Sequence, residues 1–377
     1  MGLAAGRGAP NAAPMGSALP SDRLYYLDNL RIMLTILVIA HHVGQAYGPT
    51  GGYWPVQETA RAAILGPFFT VNRSFFMSLF FMISGYFMVG AYERHGFGAF
   101  IKGRLVRLGI PVLAFAALML PARIFLFGDH ISRWDDLFNA GHLWYLEHVL
   151  LFSLVYALWR KVRGPRQAAS SAPAGKRPVP GLPVTLAALL VVAITCGIVR
   201  IWFPIDRWVN ILGFFRAAFS DVPRDIAFFI FGAMAFRRGW FETYPTRRGL
   251  AWLAAGVAAA IAWYAWSLLP HAGLSGRASA ISYLVWEEVI AFGMCIGLLV
   301  LFRQAAGFHG RFGRLLAANQ YSAYFWHPVL IVGIQMVFLA LPLGPFVKFA
   351  AVTAVGVPVV FLFSWAMRNI RAVRAVL

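Results

Sequence analysis

Long apolar runs, separated by short polar or basic connections, recur from about residue 24 to the end of the chain. Each approaches twenty residues, enough for a helix rising 1.5 Å per residue to cross a hydrocarbon core of roughly 30 Å. Ten runs are read, over 24–43, 68–90, 105–127, 142–159, 182–203, 222–238, 249–270, 281–302, 319–341 and 344–367. The pattern predicts an all-α polytopic membrane protein, with about ten transmembrane helices in one bundle. The sixth run is short and opens on Val222-Pro223-Arg224-Asp225, which makes it the least secure. The half-apolar segment Trp208–Phe219 before it reads as interfacial or re-entrant.

Composition agrees with this reading. A chain of 377 residues would suit two or three soluble domains, but 60% of it is hydrophobic and only 12% charged, with a mean hydropathy of +0.68. Soluble chains carry about 25% charged residues. The N-terminal stretch 1–23, rich in Gly, Ala, Pro and Ser, lacks the makings of a core or of a signal peptide and reads as a disordered tail. Residues 24–377 then form one membrane domain.

The net charge of +19, from 33 basic and 14 acidic residues, could be mistaken for a nucleic-acid footprint. Its placement argues otherwise. If ten runs alternate across a bilayer, the tails and connections on one side hold 22 of the 33 Lys and Arg. Basic residues accumulate on the cytoplasmic side. Both termini are therefore expected to be cytoplasmic, as is the linker 160–181, and no nucleic-acid partner is expected. Cys196 and Cys295 fall inside apolar runs, so neither a disulfide framework nor a zinc site is expected, and no metal. Phosphate-binding glycine loops and Gly-x-Ser-x-Gly elbows do not occur.

An ionisable residue inside a span costs about 2.5–3.5 kcal/mol at the helix centre, so each one asks for a reason. Arg31 and His42 in the first run are eleven residues apart, about 16 Å of rise and close to three whole turns, and so share a face. His41 lies about 100° round the helix and is the poorer partner. In the second run, Ser84-Gly85-Tyr86-Phe87 offers a glycine for close approach or a kink. Lys102, Arg104 and Arg107 form a basic group at the start of the third; a phosphate-binding fork and a topology signal look alike there. The fourth run opens Gly141-His142-Leu143-Trp144-Tyr145-Leu146-Glu147-His148 near the extracytoplasmic side, where Glu147 needs a partner or a water-filled cavity. Asn72, Arg73, Glu287 and Glu288 are further polar groups near that side. In the ninth, His327 precedes Pro328. Intramembrane histidines serve a transporter's proton relay or a general base equally well, and these residues alone do not choose.

Taken together the motifs resemble membrane acyltransferase family 3. Tyr26-Leu27-Asp28-Asn29-Leu30-Arg31, ten residues, then His42 is similar to that family's first-helix Arg-x10-His signature. Arg104-Leu105-Val106-Arg107-Leu108-Gly109-Ile110-Pro111 is similar to its Arg-x-x-Arg motif and the helix that follows. Ser84-Gly85-Tyr86-Phe87, His142-Leu143-Trp144-Tyr145-Leu146 and Trp326-His327-Pro328 also fit, so the likeness spans positions 26 to 328. The first and fourth helices look closest to a branch that succinylates periplasmic glucans.

The resemblance implies an enzyme of the bacterial inner membrane. It would take an acetyl or succinyl group from cytoplasmic acyl-CoA and place it on a hydroxyl of an envelope glycan or similar acceptor. Carried over, His42 is the general base and Arg31 stabilises negative charge or positions the donor. Arg104, Arg107 and Lys102 hold CoA phosphates. His142, Trp144, Tyr145, Glu147, Ser84 and His327 face the substrate. Many relatives carry an extracytoplasmic hydrolase-like domain, and this chain ends ten residues after its last run, so unaided transfer or a separate extracytoplasmic protein is expected. A transporter of an acylated or acidic glycan is the alternative, and an idle scaffold the third; no convincing internal repeat favours transport.

Overall fold

The computed structural model describes residues 24–49, 54–125, 140–164, 178–268, 277–308 and 310–377. The tail 1–23, residues 165–177 of the linker and the run ends at 126–127 and 269–270 lie outside these. Ten longer helices occupy the described residues: α1 (Tyr25–Gln45), α2 (Leu65–Arg104), α3 (Ile110–Phe125), α4 (Trp144–Val162), α5 (Leu182–Arg200), α6 (Val222–Arg238), α7 (Thr246–Leu268), α8 (Arg277–Ala305), α9 (Arg311–Leu339) and α10 (Pro345–Met367). Each run read from the sequence falls on one of them, the sixth included.

Among the described residues seven helical stretches are long and apolar enough to cross a membrane. Helices α2 and α3 count there as one stretch from Leu65 to Pro121, joined through a π-helical turn at Leu105–Gly109 and bent at Gly96. Helix α4, with Glu147, Arg160 and Lys161, and the 17-residue α6, with Arg224 and Asp225, are not among the seven. Outward faces are strongly apolar: Leu113, Val155, Val191, Ile261 and Leu362 are each about 60% exposed. Residues this apolar can face acyl chains at no cost, whereas in water they would form an aggregating patch.

The chain departs from an all-helical fold at Trp208–Phe219. Trp208–Ile211 pairs antiparallel with Phe215–Ala218 in a short hairpin, Trp208 opposite Ala218, and its turn places Leu212 and Gly213 at positive φ. Pairing satisfies the backbone of a segment too short to cross as a helix.

Helix α1 sits inside the bundle, with Leu27, Leu30, Leu34, Ile39 and Val43 fully buried. It packs against α2, α8, α9 and α10. Helices α2 and α6 cross where two glycines meet. A Cβ on Gly85 would lie 2.0 Å from the Phe229 carbonyl oxygen, and one on Gly232 would lie 1.8 Å from that of Met82. Of the two roles open to Gly85, close approach is the one it plays. Small residues at such crossings let membrane helices touch along their backbones.

Candidate active site

Three elements each bring one histidine to a common point. Helix α1 supplies His42, α9 supplies His327, and a 3-10 turn at Gly141–Leu143 supplies His142. Gly141, at φ +54°, takes a left-handed conformation that side chains disfavour, and so turns the chain before His142 enters the bundle. Ring centroids lie 4.9 Å apart for His42 and His327, 4.7 Å for His142 and His327, and 6.3 Å for His42 and His142.

Hydrogen bonds order the rings. His42 Nδ1 lies 2.9 Å from the Val38 carbonyl oxygen and 3.2 Å from His327 Nε2. His327 Nδ1 and His142 Nε2 each lie 2.8 Å from the carbonyl oxygen of Tyr324. The Tyr324 hydroxyl donates to the carbonyl of His142. His327 is fully buried while His42 is half-buried. His41 points elsewhere, into Phe68, Phe69 and Phe76. Among the described residues no His, Cys, Asp and Glu side chains are grouped to hold a metal ion.

Next to the imidazoles lies a cavity of about 50 Å³ lined by Arg31, Thr35, Phe80, Ile83, Ser84, Tyr145, Leu146, Gln320, Tyr321 and Tyr324. Tyr324 thus belongs to both features, since it lines the cavity and its carbonyl meets the histidines. Tyr145 donates to the Phe80 carbonyl at 3.2 Å, which leaves Ser84 to donate to the Tyr145 oxygen at 2.5 Å. Arg31 keeps a third of its side chain exposed, with Asp28 at 4.0 Å.

The basic group lies at the π turn. Arg104 is half-buried with its guanidinium 5.0 Å from the Phe100 ring centre, while Arg107 and Lys102 are exposed. The Arg107 carbonyl accepts from the Tyr321 hydroxyl, which ties this turn to the cavity wall. A π turn spends an extra residue and frees carbonyls for such contacts.

Two sequence candidates face the hairpin. Trp144 packs on Trp208 at 5.5 Å, and Glu147 accepts the Arg216 backbone N–H at 3.0 Å. Neither lines the cavity.

Other site residues belong to none of the motifs. Trp54, in the connection between α1 and α2, has its ring 5.4 Å from His42 and donates to Gln335 at 2.6 Å. Gln335 in turn donates to the Val43 carbonyl at 2.9 Å. Lys348 on α10 pairs with Glu58 at 2.6 Å and pins the same connection.

A buried ion network braces four helices beside the hairpin. Asp221, just before α6, meets Arg73 of α2, Arg200 of α5 and Arg224 of α6 at 3.0–3.1 Å. Arg200 and Arg224 continue to Glu287 of α8 at 2.7 and 2.9 Å. Burial alone would raise the Asp221 carboxyl, but the three guanidiniums outweigh it and hold the group well below the usual carboxylate range.

A bundle with a lipid-compatible exterior and histidines, hydroxyls and arginines enclosed between its helices is an integral multi-pass membrane protein with an internal polar site. The chain belongs to acyltransferase family 3, whose model, described as an acyltransferase domain, matches residues 24–365. It is similar to proteins named glucans biosynthesis protein C from Salmonella schwarzengrund (strain CVM19633), Salmonella typhi and Salmonella typhimurium (strain LT2). Each is 28% identical over 240 residues, 58% of this chain and 60% of the relative. The match therefore spans about three-fifths of the length of these curated relatives. No solved structure matches.

Proposed function

We propose that this membrane acyltransferase moves an acetyl or succinyl group from acyl-CoA to a hydroxyl of a glycan, with His42 as general base. The observation that carries the reading is the setting of His42. Its Nδ1 faces the Val38 carbonyl at 2.9 Å and so bears the ring proton, which leaves Nε2 with a free lone pair. Membership of the family and likeness to proteins named for glucan biosynthesis support the acyl transfer and the acceptor class.

In this mechanism Nε2 of His42 takes the acceptor hydroxyl proton as that oxygen attacks the thioester carbon. The C–O bond forms, the C–S bond breaks, and the thiolate leaves with the electron pair. The proton on His42 then passes to the thiolate, restoring the base. Arg31 positions the donor from the cavity, with Ser84 and Tyr145 beside it, and Arg104, Arg107 and Lys102 meet the CoA phosphates. His142, His327, Trp144 and Glu147 lie toward the acceptor. A cavity of 50 Å³ holds a water or two, so the donor's arm enters only when its side chains part.

The arrangement fits ten spans with both termini cytoplasmic, in a bacterial inner membrane. The donor then arrives from the cytoplasm and the acceptor from outside, presented alone or by a separate extracytoplasmic protein. The test uses purified protein in lipid with labelled acetyl-CoA or succinyl-CoA and a glucan oligosaccharide. CoA release that disappears in His42→Ala supports the reading. An absence of release and of CoA binding would turn it toward transport.

A further inference from the structure

Helix α9 carries a proline at position 328, inside its length. In a regular α-helix the N–H of residue 328 would donate to the carbonyl of Tyr324, four residues back. Proline has no N–H, so the Tyr324 oxygen is released from the helix ladder with its acceptor capacity unused. Two imidazoles take that capacity, with His327 Nδ1 and His142 Nε2 both at 2.8 Å.

A carbonyl oxygen can only accept, so each of those ring nitrogens must bear a proton. His327 is thereby fixed with its lone pair on Nε2, and His142 with its lone pair on Nδ1. The same reasoning gives His42 a proton on Nδ1, which faces the Val38 carbonyl at 2.9 Å. The 3.2 Å contact between His327 Nε2 and His42 Nδ1 then joins a lone pair to an N–H. Were His327 in its other tautomer, two N–H groups would confront each other, and His42 would be driven to move its proton to Nε2.

We propose that Pro328 is the positioning residue of the imidazole cluster. By deleting one helix N–H it gives the Tyr324 carbonyl to His327 and His142, fixes their tautomers, and through His327 keeps His42 Nε2 unprotonated toward the acceptor hydroxyl. When His42 gains the acceptor's proton, its Nδ1–H already faces two acceptors, the Val38 oxygen and His327 Nε2. The Tyr324 hydroxyl, donating to the His142 carbonyl, holds the 3-10 turn in the same register. The proposal rests on His42 being the base. It differs from the ordinary reading of a helix proline, in which the bend is what matters.

Two replacements separate the missing N–H from the ring. Pro328→Ala restores the N–H. Lactic acid at position 328, introduced by nonsense suppression, lacks the ring yet gives an ester with no N–H. Full-length protein in lipid is labelled with 15N in its imidazoles, and spectra of the nine histidines are assigned with single His→Gln variants. CoA release from acetyl-CoA and succinyl-CoA is measured alongside, with thermal unfolding to show that each variant folds.

Pro328→Ala is expected to mix the tautomers of His327 and His142 and to lower kcat about tenfold or more, with acceptor KM within about twofold. The lactic acid variant is expected to return both tautomers and recover most of the rate. Wild-type tautomers in Pro328→Ala would overturn the proposal. So would equal losses from both replacements, since the ring and not the N–H would then be responsible. Failure of the underlying reading looks different: His42→Ala would keep its activity while the tautomers still shifted in Pro328→Ala.

Discussion

His327 Nε2 lies 3.2 Å from His42 Nδ1 across the packing of α9 on α1, although 285 residues separate them in the chain. The contact gives His42 a neighbour that accepts on one side while the Val38 carbonyl accepts on the other. An imidazole so placed keeps one tautomer, and a proton added at Nε2 would leave a cation met by two acceptors. Among the described residues no carboxylate is hydrogen-bonded to it, and its orientation comes from neutral groups that cost little to bury.

His42→Ala is expected to lower acyl transfer by about 10²–10⁴-fold, the range supplied by a positioned base. Helical content and thermal unfolding should stay near wild type, because His42 is half-buried and its loss leaves no charge unpaired. Full CoA release by the variant would remove His42 from the mechanism.

Arg104→Ala combined with Arg107→Ala is expected to raise the KM for acyl-CoA by about tenfold or more while kcat changes little. Guanidiniums that bind remote phosphates act equally on ground and transition states. Arg107 is exposed and Arg104 half-buried, so the pair can be removed without opening the core. An unchanged KM would reduce both residues to topology signals.

Gly232→Ala tests the crossing that places Ser84. Its Cβ would fall 1.8 Å from the Met82 carbonyl oxygen and 3.0 Å from the Tyr86 nitrogen, against backbone that has no rotamer to yield. The cost is expected to be about 1–3 kcal/mol, as for other overpacked interiors. It should appear as a lower midpoint of thermal unfolding in lipid or detergent. A wild-type midpoint would show that α2 and α6 can part freely.

Much of this geometry is legible along single helices. Arg31, Thr35 and His42 recur at helical spacing on one face of α1, and Gln320, Tyr324, His327 and Gln335 do the same on α9. Periodicity states which face is buried, however, and not which helix covers it. That is why the meeting of His42 with His327 could not be read. Trp54 lies in a connection with no period at all. Arg224 and Asp225 made the sixth run look doubtful, because the carboxylates that neutralise Arg224 lie outside the run, Glu287 and Glu288 on α8 and Asp221 just before α6. The motif glycine Gly85 was visible, but its partner Gly232 carried no motif.

Asp221→Asn is expected to cost about 3 kcal/mol, since it leaves Arg73, Arg200 and Arg224 with less compensating charge in a buried place. The sign of the pH effect follows from the depressed Asp221 carboxyl. Its contribution is complete above the ordinary carboxylate range near pH 4 and is lost only as pH falls further, through the folded-state value. Between pH 7 and 5 this group should add no slope to the unfolding midpoint. A midpoint in Asp221→Asn equal to wild type would show that the arginines find other partners.

Trp54→Ala should act on the acceptor and not on the donor. The indole sits 5.4 Å from the His42 ring, and its N–H is held by Gln335, which itself donates to the Val43 carbonyl at the end of α1. An aromatic face fixed beside His42 offers a platform for the apolar face of a sugar ring, while its tether sets the distance from that ring to the His42 Nε2. Replacement by Ala is expected to raise the KM for a glucan oligosaccharide about tenfold and leave the KM for acyl-CoA within about twofold, because loss of a positioning surface on one substrate need not disturb the other. Trp54→Phe keeps the face but gives up the hydrogen bond to Gln335, and should fall between the two. Equal rises for donor and acceptor would instead mark Trp54 as a support of the whole bundle end, since Lys348 and Glu58 already pin the same connection to α10.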